Sequence, residues 1–227
     1  MYNDKKQLIL GLKFSKLNDW KDFYVSPANQ DAVSWLQNFL SLKINALLIY
    51  GETKSGKSHL GSLWLKSINA TLITEEMCRK NFVEEIISKN NCFLIDDSEI
   101  IKNSEEWFFY FFNSIILNEN KNLKKVLILA KNPVVEWNLK LNDLKSRLIS
   151  ITSTKINPPD QALSEKLIKK FFFEYGIKYQ KDYIPKILTK TKNSYAAIFN
   201  FIKNLNDENI LNKKNIKSLI KNSKTIY

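Results

Sequence analysis

Apolar positions along the chain fall into two patterns. Residues 46–50, 92–95 and 125–130 are short, almost unbroken apolar runs, each bounded by polar or glycine positions. Runs of this length and make-up predict strands covered on both faces, as in a parallel sheet. Residues 70–73 predict a weaker strand. Between the runs the spacing becomes helical. Ala32, Val33, Leu36, Phe39 and Leu40 mark a helix over 29–40. Residues 57–67 and 82–88 predict two more. Trp107, Phe108, Phe111, Phe112 and Ile115 form the apolar side of another over 105–117. Strands alternating with helices predict a parallel α/β sheet. Residues 1–25 lack a period and read as an extended arm. After Ile151 the character changes. Asn157-Pro158-Pro159-Asp160 is a strong breaker, and only helical patterns follow, over 160–175, 181–189, 194–206 and 213–222. Gly176 is placed to end the first of these. A boundary between an α/β domain and a small helical domain is expected near residues 152–159.

Composition narrows the class. A chain of 227 residues, 44% hydrophobic and 12% aromatic, can bury a sizeable core and is unlike a disordered chain. Cys78 and Cys92 supply neither a disulfide framework nor metal-ligand spacing, which fits a reducing cytoplasm. No apolar run approaches the roughly 20 residues of a membrane span, and residues 1–6 are polar where a signal peptide would turn apolar. The net charge of +12 raises nucleic acid as a partner. Residues 165–227 hold 14 lysines against 5 acids, so most of the excess lies at the C-terminal end. Arg79 and Arg147 are the only arginines among 35 basic residues. That bias, with abundant asparagine and isoleucine, looks like the coding drift of an AT-rich genome.

Gly51-Glu52-Thr53-Lys54-Ser55-Gly56-Lys57-Ser58 fits G-x-x-x-x-G-K-[ST] at every fixed position. It follows a predicted strand and opens a predicted helix, the setting a phosphate-binding loop needs. Glycines let the backbone turn its N–H groups toward a phosphate, and the helix N-terminus adds favourable potential. Lys57 is then placed for the β and γ phosphates and Ser58 for Mg²⁺. The run Cys92-Phe93-Leu94-Ile95 ends in Asp96-Asp97. Asp96 is the candidate for holding Mg²⁺ beside Ser58. Asp97 would orient or deprotonate an attacking water, or cap the following turn. Arg147, retained where lysine prevails elsewhere, offers a planar fork that an ammonium cannot copy. It could serve as an arginine finger, or as a surface ion pair or helix cap.

Gly-Lys-Ser-His-Leu at 56–60, Leu-Ile-Asp-Asp at 94–97 and Phe-Phe-Tyr-Phe-Phe-Asn at 108–113 together resemble the AAA+ ATPases of the DnaA replication-initiator family. The segment 22–29, Asp-Phe-Tyr-Val-Ser-Pro-Ala-Asn, is similar to the part of that family near the adenine pocket. The resemblance implies a P-loop AAA+ domain with a parallel sheet over 22–155, a small all-helical lid over 156–227, and an N-terminal arm over 1–21. It implies ATP or ADP with Mg²⁺ as ligands, bound at Gly51, Glu52, Thr53, Lys54, Ser55, Gly56, Lys57, Ser58 and His59. It also implies a polar sensing residue at Asn132 and a finger at Arg147, since 144–148 resembles the box that carries it.

Two features point within the family to regulators of the Hda type. About 20 residues follow Leu205, short of the initiator's DNA-binding domain. Gln7-Leu8-Ile9-Leu10-Gly11-Leu12 is similar to the Gln-Leu-x-Leu-x-Leu peptide with which such regulators meet the DNA polymerase sliding clamp. An extended peptide of this kind would place Leu8, Leu10 and Leu12 in apolar pockets and hydrogen-bond Gln7. The implied function is clamp-bound stimulation of hydrolysis of DnaA-bound ATP, with DNA met mainly through the clamp, no membrane, and a possible homo-oligomer. The family places a lid arginine on the phosphates. Here that position aligns with Ala196, and Ala130 stands where a hydroxyl residue is common, so weak or absent hydrolysis by the chain itself is expected. The competing expectation is a helicase-loader-like or DNA-remodelling ATPase acting on single-stranded DNA.

Overall fold

Strands form where the apolar runs predict them. In the computed structural model, residues 20, 23–80, 82–116, 124–177 and 179–207 are described. The strands are β1 (Ala46–Gly51), β2 (Thr71–Leu72), β3 (Cys92–Ile95), β4 (Lys125–Ala130) and β5 (Thr152–Ile156). They make one parallel sheet in the order β2-β3-β4-β1-β5. The central strands β1, β3 and β4 alternate their side chains between two cores, as the pleat requires. On β1, Leu47 and Ile49 face one side and Leu48 the other; on β4, Leu127 and Leu129 oppose Val126 and Ile128.

The first face is covered by α1 (Gln30–Asn38) and α2 (Lys57–Ile68). The second is covered by α3 (Glu75–Lys80), α4 (Val83–Lys89), α5 (Ser98–Asn103), α6 (Glu105–Ile116) and α7 (Asn142–Ile149). α6 delivers the largest payload: Phe108, Phe111, Phe112 and Ile115 are fully buried. Phe93 on β3 meets Phe111 edge-on, with ring centroids 5.2 Å apart.

β5 is the strand that periodicity missed. Thr-Ser-Thr-Lys-Ile is no apolar run, and it lies within the stretch assigned to the domain boundary. As an edge strand with β1 as its sole neighbour, it needs apolar cover on one face only, and it alternates: Thr154 and Ile156 are buried while Ser153 and Lys155 are exposed. Parallel pairing to β1 (Leu47 with Thr152 through Gly51 with Ile156) gives the polar run its strand form.

Beyond the Pro-Pro breaker come α8 (Gln161–Glu174), α9 (Tyr183–Thr191) and α10 (Tyr195–Asp207), around a separate core of Ile168, Phe172, Ile187, Ile198 and Ile202. Asp160 caps α8, accepting from the Leu163 amide at 2.8 Å. Gly176 follows α8 with φ +64°, the left-handed ending expected of it. Residues 1–19 and 21 of the arm expected over 1–21, with Gln7, Leu8, Leu10 and Leu12, and the helix predicted over 213–222 lie outside the described residues. Among the described residues no helix is long and apolar enough to cross a membrane.

A buried charge secures the start of β4. Lys125 is 3% exposed, and its ammonium donates to the carbonyls of Leu42 at 2.6 Å and Ile44 at 2.8 Å. Burial pulls this ammonium below its ordinary pKa, with the neighbouring Cys92 thiol opposing the shift. Lys125→Met keeps the stem and leaves both carbonyls without this donor. The expected cost is about 1–3 kcal/mol, seen as a lowered Tm in thermal unfolding; an unchanged Tm refutes the role given to this side chain.

Candidate functional site

The chemistry gathers at the carboxyl edge of the sheet, the usual place for ligands in open α/β folds. β1 runs out at Gly51, residues 52–56 turn, and α2 begins at Lys57. Two positions in this turn take left-handed backbone, Lys54 at φ +69° and Gly56 at φ +93°. Gly56 does so without penalty. Gly51 is constrained by space: a Cβ there would stand 2.8 Å from the Ile156 carbonyl oxygen of β5. The edge strand thus holds the start of the loop from one side.

The side chains of the loop are tightly held. The Lys57 ammonium donates to the carbonyls of Gly51 at 2.8 Å and Glu52 at 2.9 Å, and to Ser55 Oγ at 3.3 Å. Burial lowers its pKa, while the charges of Asp96 and Glu52 oppose the shift. Ser58 Oγ donates to Asp96 Oδ1 at 3.0 Å. These residues are 38 positions apart, and β4, between β1 and β3, sets their separation across the sheet. Asp97 caps α5, its Oδ1 accepting from the Glu99 amide at 3.0 Å, and also borders the cavity described next.

That cavity has a volume of about 750 Å³ and lies between loop, sheet edge and lid. Residues 53–59 form one wall with Asp96 and Asp97. The other end is mostly apolar, made by Phe23, Tyr24, Leu163, Leu167, Tyr195 and Phe199. Asn29 shapes the segment that brings Tyr24 there: its Nδ2 donates to the Tyr24 carbonyl at 3.0 Å and its Oδ1 accepts from the Ser26 amide at 2.9 Å. Phe23 stacks on His59 with centroids 5.7 Å apart. Burial raises the Tyr195 phenol pKa, and the nearby charges of Asp160 and Glu52 push the same way.

The expected residues do not all meet. Gly51 and Glu52 are not among the residues lining the cavity. Lys131, not Asn132, reaches the wall at the end of β4. The Asn132 carbonyl instead accepts from Trp137 Nε1 at 2.9 Å, and its side chain is exposed. Arg147 lies on α7, outside the cavity, with its guanidinium carbon 5.6 Å from the centroid of the Phe109 ring. Sequence reasoning missed Lys166 and Lys170, which α8 sends into the cavity; Lys166 Nζ sits 3.4 Å from the centre of the Tyr24 ring. Their i, i+4 spacing was visible, but in so lysine-rich a segment it could not be told from a solvated face.

No protein-family model matches the chain. It is 28% identical over 206 residues to the chromosomal replication initiator protein DnaA of Nautilia profundicola, covering 82% of this chain and 47% of that protein. It is 28% identical over 196 residues to DnaA of Aliarcobacter butzleri, covering 78% and 44%. The chain is thus similar in sequence to DnaA proteins. It spans about half the length of the curated relatives it matches. Domain III of the Thermotoga maritima initiator superposes on the chain with a TM-score of 0.67 at 18% identity, covering 88% of this chain and 94% of that one. A DnaA bound to AMPPCP and single-stranded DNA gives 0.62 at 21% identity, covering 88% and 66%. A Thermotoga maritima RuvB mutant gives 0.62 at 10% identity, covering 91% and 72%. The fold is that of a P-loop AAA+ module, a parallel five-stranded sheet followed by helices.

Asp97 can be divided experimentally into its two possible duties. Asp97→Asn keeps an acceptor for the Glu99 amide, so unfolding is expected to match the parent chain. Asp97→Ala loses the cap and is expected to cost about 1 kcal/mol in denaturant unfolding. Equal stability of the two variants contradicts the cap.

Proposed function

We propose that the chain binds ATP or ADP with Mg²⁺ and acts as a DnaA-related regulator of the Hda type. It would bind the DNA polymerase sliding clamp and promote hydrolysis of DnaA-bound ATP, limiting replication initiation. The observation that carries the nucleotide reading is the meeting of Ser58 with Asp96 at 3.0 Å beside Lys57. A hydroxyl and a carboxylate facing a cavity are hard oxygen donors of the kind Mg²⁺ takes, with phosphates and water completing its shell. Lys57 would exchange loop carbonyls for phosphate oxygens. The aromatic end of the cavity would hold the base. A structural neighbour of this fold is a DnaA bound to AMPPCP, which supports the same reading. Mg²⁺, when bound, would neutralise phosphate charge.

The regulatory part rests on other features. Gln7, Leu8, Leu10 and Leu12 supply the clamp peptide on an arm over residues 1–21, ahead of a nucleotide-binding domain over 22–155 and a lid over 156–227. Arg147 stands outside its own cavity, as a residue acting in trans on a neighbouring DnaA, or on a second copy of this chain, would have to. Asp97 would orient water, and Asn132 would serve as the polar sensor only if its loop turned toward the cavity. Ala196 in place of a lid arginine favours weak or absent turnover by the chain alone. The site of action would be the cytoplasm.

Three variants separate these duties. Lys57→Ala is expected to weaken binding of a fluorescent ADP analogue at least about tenfold. The triple change of Gln7, Leu8 and Leu10 to alanine is expected to abolish clamp binding in a pull-down and leave nucleotide affinity intact. Arg147→Ala is expected to keep both and lose stimulation of DnaA-bound ATP hydrolysis in the presence of DNA-loaded clamp. Equal hydrolysis with and without the guanidinium removes the finger role.

A further inference from the structure

Glu52 is the second residue of the phosphate loop, yet its carboxylate is spent on the lid. It accepts from the Ser194 hydroxyl in a short hydrogen bond, from the Tyr195 amide at 3.1 Å and from the Ala196 amide at 3.3 Å. Ser194 Oγ in turn accepts from the Ala197 amide at 3.1 Å. The opening turn of α10 is therefore capped by a carboxylate from 142 residues earlier in the chain. An anion at a helix N-terminus is favoured by both the free amides and the dipole. Glu52 is half-buried, which limits solvent screening of the contact.

The same residue has a second attachment. Its main-chain carbonyl accepts from the Lys57 ammonium at 2.9 Å. One residue thus joins the lysine of the phosphate loop to the first turn of the lid helix. The neighbourhood makes the join consequential. Tyr195 is 3% exposed and packs with Leu163 against the body of the sheet domain, while Ile198, Phe201 and Ile202 of the same helix lie in the lid core. Displacing the start of α10 would move the lid core and the aromatic end of the cavity together. The helix end that could have faced a ligand's phosphates already holds an anion of the protein's own.

We propose that Glu52 is a positioning residue that latches the lid onto the phosphate loop, so that docking of α10 does not depend on the terminal phosphate of the ligand. This rests on the nucleotide reading above for its effect on release, while the hydrogen bonds of the latch are made wholly by the protein's own groups. It assigns Glu52 to the lid and not to direct contact with the nucleotide.

The test uses the full chain with Glu52→Ala, Glu52→Gln and Ser194→Ala. In nucleotide-free protein, amide hydrogen exchange at residues 195–197 is expected to rise about tenfold in Glu52→Ala and less in Glu52→Gln, which keeps an acceptor without the charge. Release of mant-ADP and mant-ATP is expected to speed up in Glu52→Ala by the same factor for both. Ser194→Ala combined with Glu52→Ala is expected to add less than the sum of the single changes. Unchanged exchange at 195–197 in a folded Glu52→Ala chain overturns the latch. So does a change confined to mant-ATP, which would mean the lid reads the terminal phosphate. If the parent chain binds neither analogue, the nucleotide reading fails, and the exchange result still decides the latch. Should Glu52→Ala fail to fold by circular dichroism, Ser194→Ala decides it by the same exchange criterion.

Discussion

The position of β1 governs the site. β4 lies on one side of it and β5 on the other, so its backbone is held along its length and delivered into the loop at Gly51. A parallel sheet brings every carboxyl end to one edge, which is how β3 presents Asp96 to Ser58 across the intervening β4. The close approach of Gly51 to the Ile156 carbonyl ties the loop to the edge strand as well. If β1 slipped by one residue, Leu47 and Ile49 would exchange cores with Leu48, and the loop would lose its register with Asp96.

The lid has a core of its own. That core of Ile168, Phe172, Ile187 and Ile202 holds its helices together. Leu163 and Tyr195 share the core beneath the sheet, and Glu52 adds a charged, directional contact at the start of α10. Apolar contacts tolerate sliding, whereas a carboxylate held by two amides and a hydroxyl specifies orientation. That division fits a cavity whose polar half belongs to the loop and whose aromatic half is partly carried by the lid.

Lys57, Ser58 and Asp96 share one wall of the cavity, with Ser58 bonded to Asp96. Arg147, on α7, does not line the cavity and lies beside the Phe109 ring.

Local pattern alone was enough to place β1, β3, β4, the main helices, the glycine-bearing loop between β1 and α2, and the acidic end of β3. Each depends on short-range rules: an apolar run, a helical period, fixed spacing of glycine, lysine and serine. Gly56 taking φ +93° and Gly176 taking φ +64° belong here too, because backbone freedom is a property of the residue itself. What only the tertiary structure decided depends on partners distant in sequence. β5 is a strand because β1 pairs with it; Lys131 rather than Asn132 reaches the cavity because Trp137 holds the Asn132 carbonyl; Glu52 turns to the lid because α10 presents unpaired amides there. Each is a choice among polar groups whose local sequence leaves several conformations near in energy, and the fold selects one by supplying the hydrogen-bond partner.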